Sequence, residues 1–140
     1  MVFHKSRHSI YGQTVNGTIH FYHDLDSLLK ERLVEDYIVG SYSKVVKEDT
    51  LKHVYDFNGK IILIIDSLGV YEVKTFRPDV VVLRNSPKIN IERLIDSINP
   101  SQIVADGSNY KSYIERWKAT CRKRKIPFHN ANEKGAYILK

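Results

Sequence analysis

His20 and the pair His23-Asp24 are the densest group of metal-ligating residue types in the chain. Two imidazoles and a carboxylate would suit a divalent cation that activates water. The spacing argues against it. Thr18 to His23 is β-prone, and residues three apart on a strand point to opposite faces. His20 then shares a face with Tyr22, and His23 with Phe21. The group would assemble only if His23 and Asp24 left the strand and met His4 or His8 from its partner. Cys121 and His129 supply the types of a nucleophile and base. However, Cys121 falls on the apolar stripe of a helix, where a free cysteine behaves as a small hydrophobe. A reactive thiolate needs an exposed, electropositive setting. Tyr110, Tyr113 and Trp117 offer aromatic faces for nucleobases, yet their spacing is also what a core-facing helix requires.

Two loops combine small polar and basic residues. Arg84-Asn85-Ser86-Pro87-Lys88 follows an apolar run, and Asp106-Gly107-Ser108-Asn109-Tyr110-Lys111 follows another and opens a helix. Ligands of α/β sheets bind beyond the carboxyl ends of strands, and a helix start offers backbone N–H groups to an anion. The competing reading is turn and cap chemistry, with Ser108 or Asn109 as N-cap and Gly107 in the turn.

These loops need a scaffold, and the sequence outlines one. Ser9 to Val15 and Thr18 to His23 flank Asn16-Gly17, a pair suited to the positive φ angles of a type I′ hairpin turn. Leu25, Leu28, Leu29 and Leu33 predict a helix over Ser27 to Asp36. The polar stretch Gly40 to Asn58 yields no assignment, and Tyr55 to Gly59 reads as the turn before a strand. Ile61 to Ile65 and Val80 to Leu83 are continuous apolar runs, expected as strands buried on both faces. Asn90 caps a helix bearing Ile91, Leu94, Ile95 and Ile98, which Pro100 ends. Gln102 to Ala105 is a third short strand. Tyr110, Tyr113, Ile114, Trp117 and Cys121 define the longest helical stripe. Phe128 to Asn130 and Ala136 to Leu139 are expected to pair as a C-terminal hairpin around Glu133-Lys134-Gly135.

The expected fold is therefore α/β: a compact mixed sheet with N- and C-terminal hairpins, flanked by two or three helices. The 140 residues suit one domain spanning positions 1–140,. Hydrophobic residues form 42% and charged residues 27% of the chain, a globular rather than disordered composition,. No run approaches the roughly 18 apolar residues of a membrane-spanning helix. The formal net charge of +6 favours anionic partners such as nucleic acid or acidic lipid,. A single cysteine excludes an internal disulfide and a paired-cysteine zinc site,.

The same loops carry a family likeness. Val80 to Asn90 and Ile103 to Tyr113, continuing through Trp117, Ile126 to His129 and Glu133 to Ala136, resemble the C-terminal domain of ComEC-type DNA-uptake proteins of Bacteroidetes. The opening Val2 to Ser9 and the hairpin after it are similar to the start of that domain. Such proteins import transforming DNA as a single strand. Many end in a metallo-β-lactamase-like domain with an HxHxDH motif and a histidine-bearing HHGS-like loop. This chain lacks the HxHxDH motif, and Arg84-Asn85-Ser86-Pro87 stands where the HHGS-like loop would be. Asp66 is the one acidic position the resemblance retains. One carboxylate cannot hold the metal pair that clamps a phosphoryl transfer.

The resemblance thus implies a reduced metallo-β-lactamase-like fold with no catalytic residues, no metal and no cofactor. It implies a piece of a larger protein, held as a soluble domain at the bacterial inner membrane. The expected partner is DNA, single-stranded and bound weakly and salt-sensitively, or the transmembrane channel portion of the same protein. No small-molecule substrate is expected. Arg84, Asn85, Ser86, Lys88, Ser108, Asn109 and Lys111 are the expected DNA contacts. The alternatives are a residual metal-dependent nuclease using His20, His23, Asp24 and Asp66, and a purely structural docking domain.

Overall fold

A computed structural model describes residues 2–3, 9–15, 18–23, 45–50, 53–67, 69 and 77–139. The expected helix over Ser27 to Asp36, the turn Asn16-Gly17, and His4, His8 and Asp24 lie outside the described residues.

Among the described residues, ten strands form two sheets. The first contains β1 (Val2–Phe3), β2 (Ile10–Val15), β3 (Thr18–His23) and β4 (Val45–Thr50), with β10 (Tyr137–Ile138) on the other side of β1. The expected N-terminal hairpin is present, with β2 and β3 antiparallel and Val15 opposite Thr18. β4, in the stretch the sequence left unassigned, runs parallel to β3.

The second sheet has the order β5 (Val54–Phe57), β6 (Lys60–Ile65), β7 (Val80–Leu83), β8 (Gln102–Ala105) and β9 (Phe128–Asn130). β5 and β6 form a hairpin, and β6 to β9 are parallel. The hairpin turn is Asn58-Gly59, with φ of 52° and 80°. This is the same Asn-Gly chemistry that marks the first hairpin, here in a segment expected to be only a turn.

Three helices lie among the described residues, between the strands from β7 to β10: α1 (Ile91–Ile98), α2 (Lys111–Arg124) and the single turn α3 (Ala131–Lys134). Asn90 caps α1 as expected, its side chain accepting from Arg93 N at 3.1 Å. Asn99 closes that helix in the left-handed region before Pro100.

Alternation along β6 to β8 explains the layering. Leu63, Ile65, Val81, Leu83, Ile103 and Ala105 face α1 and α2, where they meet Leu94, Ile95, Ile98, Ile114, Trp117 and Cys121. Ile62, Ile64, Val80, Val82 and Val104 face the first sheet and meet Phe3, Tyr11 and Tyr22. The parallel sheet is buried on both faces, which is why its strands read as unbroken apolar runs.

The α/β class and the mixed pairing stand as expected, with two corrections. The described strands form two stacked sheets where one was expected. The C-terminal strands do not form a hairpin: β9 adds to β8 in one sheet, and β10 to β1 in the other. One-turn α3 between them turns the chain across the sandwich, and short-range sequence patterns do not specify which sheet edge a strand joins.

Candidate functional site at the strand ends

The parallel register sets Ile65 beside Leu83 and Leu83 beside Ala105. Asp66, Arg84 and Asp106 are therefore the next residues on three neighbouring strands, at one end of the sheet. Arg84 N donates to Ile65 O at 3.0 Å, and Asp106 N to Leu83 O at 3.3 Å, so the ladder extends into this row.

Asp106 is fully buried. Its Oδ2 accepts from Ser9 Oγ at 2.6 Å and from Tyr11 Oη at 2.7 Å, both donors from the first sheet's side of the sandwich. Its Oδ1 accepts from Ser108 N at 3.0 Å and from Ser108 Oγ. Asn109 Nδ2 adds a longer contact at 3.4 Å. A carboxylate offers about four lone-pair sites, and these donors fill them. Arg84 Nε donates to Ser9 Oγ at 2.9 Å, linking a cation to the carboxylate through one hydroxyl. Burial, with the Asp106 charge and hydrogen bond next, pushes the Tyr11 phenol well above its usual range, which keeps it a donor,.

The two loops are laced together. Asn85 N donates to Ser108 Oγ at 2.8 Å, Ser86 N to Asn109 Oδ1 at 2.8 Å, and Tyr110 N to Ser86 Oγ at 2.7 Å. Asn109 Nδ2 donates to Leu83 O at 2.7 Å and to Asp106 O at 3.0 Å. Asn85 and Ser86 have φ of 55° and 50°, a conformation costing non-glycine residues on the order of 1–2 kcal/mol each,. These cross-loop bonds hold it. The N-cap of α2 is Tyr110, whose side chain makes no capping bond, rather than the expected Ser108 or Asn109. Those two side chains serve the loop junction.

The expected DNA contacts thus divide. Arg84, Asn85, Ser86, Ser108 and Asn109 come together, but Asn109 is buried and its amide is used internally. Asn109 is a post of the junction between the two loops. Lys88 and Lys111 are exposed and lie on opposite flanks of the α2 start. Lys88 borders an open groove of about 500 Å³ between residues 87–91 and α2, with Tyr113, Arg116 and Trp117 on the far wall. Lys111 borders a hollow of about 300 Å³ that also holds Glu115 and Glu133.

The aromatic stripe of α2 divides as well. Trp117 is core, at 3% exposure, whereas Tyr110 is 72% exposed. Tyr113 lies between them, with edge-on ring contacts to Tyr110 at 6.0 Å and to Trp117 at 5.9 Å. Arg116 Cζ stands 4.7 Å over the Tyr113 ring. Of the other α2 cations, Lys118 pairs with Glu133 at 2.9 Å and Arg124 with Asp96 at 2.5 Å. The Lys118 hydrogen bond draws the Glu133 carboxyl below its usual range, and the Asp96 hydrogen bond raises Arg124.

The other chemical groups resolve as structure. His20 stacks on Tyr22 at 4.4 Å, as the strand period requires, and His23 is buried. Cys121 is fully buried, and burial pushes its thiol up to about 11, the opposite of an activated thiolate. The His129 Nε2 engages Gly135 O at 2.8 Å. Ser9 and Tyr11, which complete the Asp106 cluster, were not legible as site residues. They lie far from Asp106 in sequence and leave no spacing signal.

The metal pair of catalytic metallo-β-lactamase-like domains does not fit this donor set. Asp106 is saturated by protein donors, and its neighbours are hydroxyls, an amide and a guanidinium rather than further ligands. Among the described residues, no three His, Cys, Asp or Glu side chains gather as a metal would require. No helix among them is long and apolar enough to cross a membrane.

What the architecture defines is an α/β domain whose strand-end loops are locked by internal hydrogen bonds beside an aromatic, basic groove. The family profile of the ComEC C-terminal domain matches residues 1–140, and the chain belongs to that family. Membership ties it to competence DNA uptake. No curated protein and no solved structure matches the chain significantly.

Proposed function

We propose that the chain is a non-catalytic accessory domain of a ComEC-type DNA-uptake channel, held at the inner membrane by the rest of that protein. It binds DNA weakly and without sequence preference at the carboxyl ends of β7 and β8. The observation that carries this reading is the saturated Asp106 cluster. The position where an α/β enzyme presents reactive groups is filled by a carboxylate whose lone pairs are all used within the fold. The surrounding loops, tied by these internal hydrogen bonds, support exposed cations, which suit phosphate,. Lys88, Lys111 and the exposed Asn85 are the direct contacts, and Arg84, Ser86, Ser108 and Asn109 hold the loops that present them.

The test joins metal analysis of freshly purified protein to titration of a labelled single strand. Binding in the range of about 10⁻⁴ to 10⁻⁶ M, falling steeply between about 50 and 200 mM salt, is the expected result. Stoichiometric zinc with chelator-sensitive strand cleavage would overturn the non-catalytic reading. Binding that ignores salt would overturn the phosphate reading.

A further inference from the structure

Several cations of α2 have acidic neighbours: Lys118 pairs with Glu133, Lys123 with Glu92 at 4.0 Å, and Arg124 with Asp96. Arg116 is placed differently. Its guanidinium lies over the Tyr113 ring, 4.7 Å from the centroid. A guanidinium stacked on a ring is held in position and keeps the edge of its planar N–H fork for another partner. Arg116 lines the groove between residues 87–91 and α2, and Lys88 stands on the wall across from it. Both side chains are exposed, and no carboxylate lines the groove.

The base of the groove is apolar. Ile91 and Trp117 are buried there, and Ile89 and Tyr113 are half-buried against the helix-side core. A charged rim around an apolar base is the layout of a protein-docking surface. The same geometry separates the anions that could dock. Arg116 covers a face of Tyr113, and Trp117 is 3% exposed, so little open ring face remains for a planar base to stack on,. An aliphatic side chain needs no such face. The guanidinium fork matches a carboxylate, which it binds through two parallel N–H bonds. The volume of about 500 Å³ has room for a short run of side chains,.

We propose that this groove docks an extended acidic segment of a partner protein. An apolar side chain of that segment fills the base, and carboxylates on either side of it meet Arg116 and Lys88. The proposal does not rest on the DNA-binding reading. The two share Lys88, so an occupied groove withdraws that cation from phosphate.

The experiment is a fluorescence anisotropy titration of the 140-residue chain with labelled synthetic peptides and, separately, short oligothymidylate. One peptide alternates single leucines with pairs of glutamates. Its controls are an all-glutamate peptide of equal length and a version with glutamine for every glutamate. The leucine–glutamate peptide should bind on the order of 10-fold tighter than the all-glutamate one, the effect of burying one leucine side chain. The glutamine version should not bind. Arg116→Gln should weaken the leucine–glutamate peptide roughly 10-fold. Lys123→Gln removes the same charge from the same helix away from the groove and should leave binding unchanged. Both positions are exposed, so neither variant should lower the melting temperature. Trp117 is the single tryptophan of the chain, and its emission should change as the peptide enters. Equal binding of the leucine–glutamate and all-glutamate peptides, or equal weakening by the two variants, would reduce the effect to net charge and overturn the proposal. Binding that leaves Trp117 emission unchanged would place the peptide elsewhere and overturn it too. Binding of oligothymidylate without binding of the peptide would overturn the docking site and leave the DNA reading standing.

Discussion

Asp106, the first residue of one of the two candidate loops, is a joint of the fold. Its carboxylate gathers hydroxyls from Ser9 and Tyr11 and the amide of Ser108, so it ties the loop after β8 to the neighbouring sheet. Hydrogen bonds to a charged group contribute about 1.5–3 kcal/mol each. Asp106→Asn substitutes an amide nitrogen for an acceptor that faces donors. We expect a loss of about 2–3 kcal/mol of stability, read as a fall of roughly 1–2 M in the urea midpoint. The loop was legible as polar and strand-terminal, but its partners were not. Periodicity reports the face of an element and carries no information about bonds between distant segments.

Titration at this scale has a definite sign. The Tyr11 phenol is raised above 10.0 by burial and the Asp106 charge, and the Cys121 thiol is raised from 9.0 to about 11 by burial. In both, the folded state holds its proton where the unfolded chain releases it, so stability falls as pH rises. The contribution is complete below about pH 9, begins to fade there through Cys121, and fades further above about pH 10 through Tyr11. Unfolding free energies measured across this window should decline, and less steeply in Cys121→Ala. The native thiol should also resist maleimide labelling until denaturant is added; rapid native labelling would show that Cys121 is not buried.

Elements were legible where one face or both faces bury apolar side chains. α1, β6, β7 and β8 emerged near their expected bounds because their patterns are strong. The Asn58-Gly59 hairpin was missed because β5 is only four residues long and carries an apolar residue, Val54, on its exposed face, which blurs the alternation in the sequence. In α2 the stripe combined two environments: Trp117, Ile114 and Cys121 in the core, and Tyr110 in solvent. Spacing alone does not show where a helix emerges from its neighbours. Trp117 packs between sheet and α1, so Trp117→Ala should cost about 3–5 kcal/mol in a denaturation series,. A cost below about 1 kcal/mol would place the ring at the surface.

At the scale of the whole molecule, the order of layers follows from which strands are apolar on both sides. The parallel sheet occupies the middle because both of its faces need cover, with helices on one side and the first sheet on the other. The net charge of +6 belongs to this scale too. Pairs such as Lys118–Glu133 and Arg124–Asp96 cancel and add nothing to it, while Lys88 and Arg116 border a groove without a carboxylate. Composition pointed to anionic partners and could not indicate where they dock.

The pairing of β1 with β10 bears on how the chain reaches its folded state. Val2 lies opposite Ile138, and Phe3 opposite Tyr137. Contacts of such sequence separation close a very large loop and are associated with slow folding. During synthesis β1 leaves the ribosome well before β10, and its outer edge waits for that strand. Until then the first sheet presents an unpaired rim of the kind on which neighbouring nascent chains aggregate.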